Sequence, residues 1–416
     1  MNIDPATAGI DAATLAQLDA VVRADIDAGK HFGATLLVAR RGQIVHRANL
    51  GTTAPGRAAA EDDKYLLMSM SKAFTAVLVL RAIEQGQFGL KTRVAELMPD
   101  FAAHGKIKAT VAQLLCHTAG LPTAPVPAPL PLTAMGDLAR TSKAINRLKP
   151  VYEAGTRCAY TSGTGYDALG QILVLTDPKR RSFGRIAREE LFAPLGLKNT
   201  SFGLAVDDPK RVPVSFTPSM ATPVSPTMSR VFNTVLDAQA EYPCAGAFAD
   251  IGDVFAFTEA LQGRGPRGFQ LLAPATFANA RKNQTGDMML ENLPTKGLPA
   301  LRQMLATFGV RTLVAQVRSQ RATQVDAYEH AAYPANFTLL GGYTRGVGNY
   351  LNPAGRTASQ TALAAVGGGS TGWMIDTERD LPVIFLSAGL VEGFAHPRRL
   401  ELLNDLAIAA IRNRSR

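Results

Sequence analysis

Ser69-Met70-Ser71-Lys72-Ala73-Phe74-Thr75-Ala76-Val77-Leu78-Val79-Leu80-Arg81-Ala82-Ile83 is the stretch on which the reading of this chain turns. From Ala73 onward it holds strong helix formers and almost no charge, which predicts a helix buried on most sides and stopped at Gly86. Residues three apart share a helical face, so Lys72 reaches Ser69 Oγ, and both sit near the positive end of the helix dipole. A serine hydroxyl is a weak nucleophile at neutral pH and needs a neighbour to take its proton. A lysine does that only as the free amine, a form that burial and a helix N-terminus both favour. Four letters alone are weak, since S-x-x-K arises by chance about once in a chain of ordinary composition and this length.

The context comes some ninety residues later, in Gly155-Thr156-Arg157-Cys158-Ala159-Tyr160-Thr161-Ser162-Gly163. Glycine and serine around a tyrosine, between two helical patterns, predict a loop, with Ser162 or Thr164 capping a helix from Tyr166 to Leu175. A loop tyrosine facing a lysine can relay a proton between nucleophile and leaving group. An isolated tyrosine is more often a packing residue with its hydroxyl on a backbone carbonyl.

With these residues in view, the chain resembles the serine β-lactamase-like superfamily, most closely the family VIII carboxylesterases, which share the class C β-lactamase fold. Two further runs carry the resemblance: Leu114-Leu115-Cys116-His117-Thr118-Ala119-Gly120-Leu121-Pro122 and Pro194-Leu195-Gly196-Leu197-Lys198-Asn199-Thr200-Ser201-Phe202. The resemblance covers nearly the whole chain and implies that Ser69 is acylated, that Lys72 and Tyr160 act as coupled base and acid, and that water or another alcohol takes the acyl group. His117 is expected to orient a turn through hydrogen bonds.

The family's third element, K-T-G, H-x-G or W-G-G, falls on Ala365-Val366-Gly367 when counted back from Trp373-Met374-Ile375-Asp376. Ala365 stands where the family has Lys, His or Trp, so no cation meets a β-lactam carboxylate, and β-lactamase activity is expected to be weak or absent. The resemblance further implies an oxyanion hole from the amides of Ser69 and Gly368, with Met68, Ser162, Gly367 and Gly369 lining the substrate site. Gly368-Gly369-Ser370-Thr371-Gly372 also satisfies G-x-S-x-G, the nucleophile elbow of another hydrolase fold. That fold needs a helix after the serine. Here Trp373 to Asp376, a short turn and Val383 to Leu386 read instead as a β-hairpin, which ranks Ser370 well below Ser69.

At 416 residues the chain can form one large domain or two interlocked ones. The net charge of +10 is dispersed, without aromatics interleaved among the basic residues, and reads as solvated surface rather than a nucleic-acid face. The six histidines show no metal-ligand spacing, so neither metal nor cofactor is expected. No apolar run reaches about eighteen residues, the length a membrane helix needs. Met1 to Gly9 is short and polar, and three widely spaced cysteines read as free thiols. A cytoplasmic location is expected, or a periplasmic one if a leader was trimmed.

Asp11 to Gly29 predicts a first helix with Asp11 as N-cap, followed by strands Ala34 to Ala39 and Gln43 to Asn49. The C-terminus mirrors this with strands before Asp376 and after Asp380 and a helix from Arg398 to Ile411. The expected fold is α+β and β-lactamase/penicillin-binding-protein-like: an antiparallel sheet flanked by helices, with an inserted mainly helical domain. The sandwich domain is assigned to residues 1-85 and 190-416 and the helical domain to 86-189, the active site lying in the cleft between them. Three irregular stretches, Leu121 to Thr133, Val212 to Val231 and about Gly286 to Tyr350, either shape the pocket or decorate the surface. The expected activity is hydrolysis of small carboxylic esters through an acyl-enzyme. Acyl transfer or amide cleavage on the same fold is the alternative, and a catalytically silent binding or assembly protein the reading from another class.

Overall fold

A computed structural model describes residues 3–291, 305, 309–316, 333–348, 351–391 and 395–412. Most of the third irregular stretch lies outside these residues. Asp11 caps the first helix, Ala12–Asp27, by accepting the Thr14 N–H at 2.8 Å, and the chain leaves it through Gly29 at φ +67°. Strands Gly33–Arg40 and Gln43–Ala54 then form a hairpin whose two turn residues, Arg41 and Gly42, both have positive φ, the turn geometry that matches strand twist.

The main sheet has seven strands in the order Arg57–Ala58, Gln43–Ala54, Gly33–Arg40, Leu381–Ala388, Thr371–Asp376, Leu363–Gly367 and Tyr343–Thr344. All pairings within it are antiparallel, and the two ends of the chain meet where Gly33–Arg40 pairs with Leu381–Ala388. Every residue of Leu381–Ala388 is buried, because both sheet faces are covered. Leu36 and Val38 enter one core with the helices Ala12–Asp27 and Ala395–Ala409, while Leu37 and Ala39 enter the other, larger core.

The serine helix, Ser71–Glu84, runs through that larger core, with Ser71 to Leu80 buried without interruption. Phe74 packs edge-on against Phe192 and Phe257, at centroid distances of 5.4 and 4.7 Å. Each fully buried Val or Leu here contributes about 1.5–3 kcal/mol, which fixes the helix against Thr164–Thr176, Phe183–Ala187 and Arg188–Phe192.

Two local expectations are corrected. Gly163, not Ser162 or Thr164, is the N-cap of Thr164–Thr176, because Thr164 Oγ1 donates instead to Pro122 O at 3.0 Å. The second half of the Val212 to Val231 stretch is helical, as part of Ser225–Val235. Pro226 sits in its first turn, where a missing N–H costs nothing. The proline-rich stretch after Leu121 is irregular up to a short 3-10 turn, Leu132–Ala134.

Candidate active site

Ser69 belongs to a single 3-10 turn, Met68–Met70, that leads into the serine helix. Four contacts hold that turn. Tyr65 and Leu66 pair with Ala249 and Phe248, Leu67 N–H donates to Ala247 O at 2.8 Å, Thr371 Oγ1 donates to Leu67 O at 3.0 Å, and Ser71 Oγ accepts the Ala247 N–H at 2.9 Å. Met68, immediately before the serine, has φ +47°, a conformation that costs a non-glycine residue about 1–3 kcal/mol and that this tethering sustains.

Lys72 is 1% exposed. Its Nζ donates to Ser69 Oγ at 3.3 Å, to Ser162 O at 2.9 Å and to Cys244 O at 3.0 Å, three acceptors for the three N–H bonds of an ammonium. The Tyr160 hydroxyl donates to Ser69 Oγ at 2.6 Å, and Lys72 Nζ lies 5.0 Å from the centre of the same ring. The three groups named from the sequence therefore meet at one point, with Ser69 and Tyr160 half-buried.

The Tyr160 loop is held from behind by His117. His117 Nδ1 accepts the Thr161 N–H at 3.2 Å and lies 2.9 Å from Thr161 Oγ1, while the imidazole packs 4.7 Å from the Tyr160 ring. Burial first, and the Lys72 charge second, hold His117 well below the usual histidine range. An Nδ1 that accepts an amide N–H fits this neutral imidazole. His117 orients a turn, as its place in the sequence suggested.

Gly367 and Gly369 approach the serine turn closely. A Cβ on Gly367 would strike Leu67 O and Thr371 Oγ1, and one on Gly369 would come within 2.9 Å of Leu66 O and 3.1 Å of Met68 Cγ. Gly368 is exposed at the tip of the hairpin, with nothing within 4 Å of its Cβ position. Ala365 is buried on the face of the larger core, so its side chain brings no charge to this wall. Ser162 meets Lys72 through its carbonyl, while its hydroxyl accepts from Thr123 Oγ1 at 3.5 Å.

Ser370 is fully buried at φ +60°, and its Oγ accepts the Val391 N–H at 2.7 Å. It sits in the turn of the hairpin Leu363–Gly367/Thr371–Asp376 and is not followed by a helix. The cysteines Cys116, Cys158 and Cys244 are free and buried. Among the described residues no group of acidic, histidine or cysteine side chains could hold a metal ion, and no helix is long and apolar enough to cross a membrane.

Sequence reasoning missed the two backbone carbonyls on Lys72, which no residue type announces. It also missed Asp167, which packs against this site. A lone acid in the otherwise apolar helix Thr164–Thr176 was the available signal.

Residues 18–407 match the family model described as Beta-lactamase. Esterase EstB of Burkholderia gladioli is 35% identical over 127 residues, 29% of this chain and 32% of that protein. Penicillin-binding protein 4 of Amycolatopsis lactamdurans is 35% identical over 161 residues, 37% of this chain and 38% of that one. The chain thus spans well under half the length of these curated relatives. Among solved structures, EstCE1, described as a hydrolase with promiscuous acyltransferase activity, superposes with a TM-score of 0.70 at 20% identity, covering 94% of this chain and 98% of its own. A family VIII carboxylesterase gives 0.69 at 18% identity, covering 97% and 99%. At these identities the superpositions speak to the fold.

Proposed function

The chain belongs to the β-lactamase family, and on that premise we propose that it cleaves small carboxylic esters through an acyl-enzyme on Ser69. The observation that carries this reading is the 2.6 Å hydrogen bond between Tyr160 and Ser69 Oγ, made beside a buried lysine that touches the same oxygen. In the reactive form the Tyr160 hydroxyl has given up its own proton to solvent; Ser69 Oγ then attacks the ester carbonyl carbon while its proton passes to the phenolate oxygen of Tyr160, which the positive charge of Lys72 stabilises. The carbonyl π electrons move onto oxygen, where the amides of Ser69 and Gly368 are proposed to receive them. As the tetrahedral intermediate collapses, the C–O bond to the alcohol breaks and the proton held by Tyr160 goes to the leaving oxygen. Water then attacks the acyl-enzyme by the same relay, releasing acid and regenerating the serine.

Esters are favoured over β-lactams because Ala365 leaves this wall without the cation that would hold a β-lactam carboxylate. The substrate cleft is placed between the 86-189 segment, which supplies Tyr160 and Ser162, and the sheet hairpin that ends at Gly367. The similarity to EstCE1 supports a second reading, in which an alcohol or amine replaces water as acceptor.

The test is intact mass after incubation with a fluorophosphonate, followed by peptide mapping. A single adduct on Ser69 supports the proposal, and an unlabelled protein or an adduct elsewhere overturns it. Turnover of short-chain p-nitrophenyl esters with competing alcohols separates the two acceptors, since ester product outpacing free acid marks a transferase.

A further inference from the structure

Asp167 is fully buried, and neither carboxyl oxygen has a hydrogen-bond partner at bonding distance. A bare carboxylate in such a place is costly, and burial raises the proton affinity of this one to about 7. Three elements face it. Lys72 comes from the serine helix, the Cys244 thiol and amide from the loop entering strand Ala247–Ala249, the Tyr242 phenol from the same loop, and the Thr141 hydroxyl from helix Leu138–Asn146. Tyr166, beside it on its own helix, is itself buried and places its ring 5.4 Å from Lys72 Nζ. Of these groups only Lys72 is a cation.

Lys72 has the complementary problem. Its three hydrogen-bond acceptors are a hydroxyl and two carbonyls, all neutral, so a buried ammonium there has no anion in direct contact among the described residues. Cys244 faces both groups, with its carbonyl on Lys72 and its thiol and amide toward Asp167.

We infer that Asp167 is a positioning residue for the proposed reaction: its buried carboxyl is the proton-linked counter-charge of Lys72, acting across Cys244. The inference rests on the reading of Ser69 as nucleophile. As carboxylate, Asp167 favours the ammonium, holding the proton on Lys72 and the Tyr160 oxygen free to take the serine proton. As neutral acid, it withdraws that support. Asp167 exchanges nothing with the substrate, so the bonds made and broken are those already described.

The experiment is the pH profile of kcat/KM on p-nitrophenyl acetate for wild type, Asp167→Asn and Cys244→Ser, with phosphonate labelling of Ser69 run in parallel. Asp167→Asn is held in the equivalent of the neutral acid at every pH, so it lowers the plateau by about tenfold and removes the limb that protonation of Asp167 sets. Cys244→Ser offers the carboxylate a stronger donor, which keeps it ionised to lower pH and moves the limb down by about half a unit. KM stays within about twofold in both, because neither side chain reaches the substrate. A limb lost in the first variant and moved down in the second is the signature, since a purely structural role lowers the plateau and leaves the limb where it was. Should Asp167→Asn fail to fold, the downward shift in Cys244→Ser carries the test. Limbs that superpose on wild type, with Ser69 still labelled, overturn the role of Asp167 alone. A wild type that is neither labelled nor active overturns the ester-cleaving reading and this inference with it.

Discussion

The Tyr160 hydroxyl donates to Ser69 Oγ across 2.6 Å, although 91 positions separate the two residues. The loop that carries Tyr160 is fixed by His117 through Thr161, and the turn that carries Ser69 by Ala247 and Thr371, so the contact is set by two independently held segments. Removing the one oxygen that joins them leaves both segments in place. Tyr160→Phe is therefore expected to lower kcat by about 10²–10⁴ while leaving the melting temperature within a few degrees of wild type. Ester turnover and a thermal melt on the same preparation check this.

The two serines offered by the sequence separate cleanly. Ser69→Ala is expected to abolish phosphonate labelling and ester turnover, because no other hydroxyl is held against Lys72 among the described residues. Ser370→Ala deletes a buried hydroxyl that accepts the Val391 N–H and makes no hydrogen bond to that lysine. It is expected to cost about 1–3 kcal/mol of stability and to keep labelling. Activity that survives the first change and vanishes in the second reverses the assignment.

Gly367 and Gly368 differ in what a methyl group would meet. In Gly367→Ala the new carbon collides with Leu67 O and the Thr371 hydroxyl, which are already bonded to each other, and displaces the turn that presents Ser69. The expected result is a loss of more than about tenfold in kcat/KM, as reacting atoms drift from their positions. Gly368→Ala meets nothing and keeps the amide, so its activity stays within about twofold of wild type. Steady-state kinetics on the pair read the contrast directly.

Acid stability depends on two buried histidines that make no contact with Ser69, Lys72 or Tyr160. His396, whose Nε2 contacts Thr371 O at 3.0 Å, is lowered by burial to about 3, and His31 by burial and Arg399 to about 4. Both folded-state values lie below the ordinary histidine range, so the neutral forms contribute stability above about pH 6.5 that is lost as pH falls toward 3. The loss from His396 amounts to about 3 kcal/mol at pH 4. His396→Gln, which keeps a donor for Thr371 O, is expected to show a smaller fall in melting temperature between pH 7 and pH 4 than wild type. An equal fall in both proteins counts against the assignment.

The helix after Ser69 was legible because Ala73 to Ile83 combines helix formers with an absence of charge, a pattern that only a buried helix tolerates. The hairpins were legible in the apolar runs around Arg41-Gly42 and between Asp376 and Asp380, since turn residues and strand residues differ in kind. The cap of the Thr164–Thr176 helix was not, because Thr164 Oγ1 is drawn away to Pro122 O by the tertiary fold. The helix within the Pro/Ser/Thr-rich stretch was missed for a related reason: Pro226 reads as a breaker in composition but as an ordinary first-turn residue once the helix starts at Ser225.

By itself the sequence determined most of the local elements, the placing of Ser69 and Lys72 one helical turn apart, and the family, since these follow from residue types and their spacing along the chain. It could not place the carbonyls of Ser162 and Cys244 on Lys72, bring the tip of the Gly367 hairpin onto the serine turn, or bury Asp167 behind the site. Those depend on which segments the two cores press together. Backbone acceptors carry no residue signature, and the environment of an acid is a property of everything packed around it.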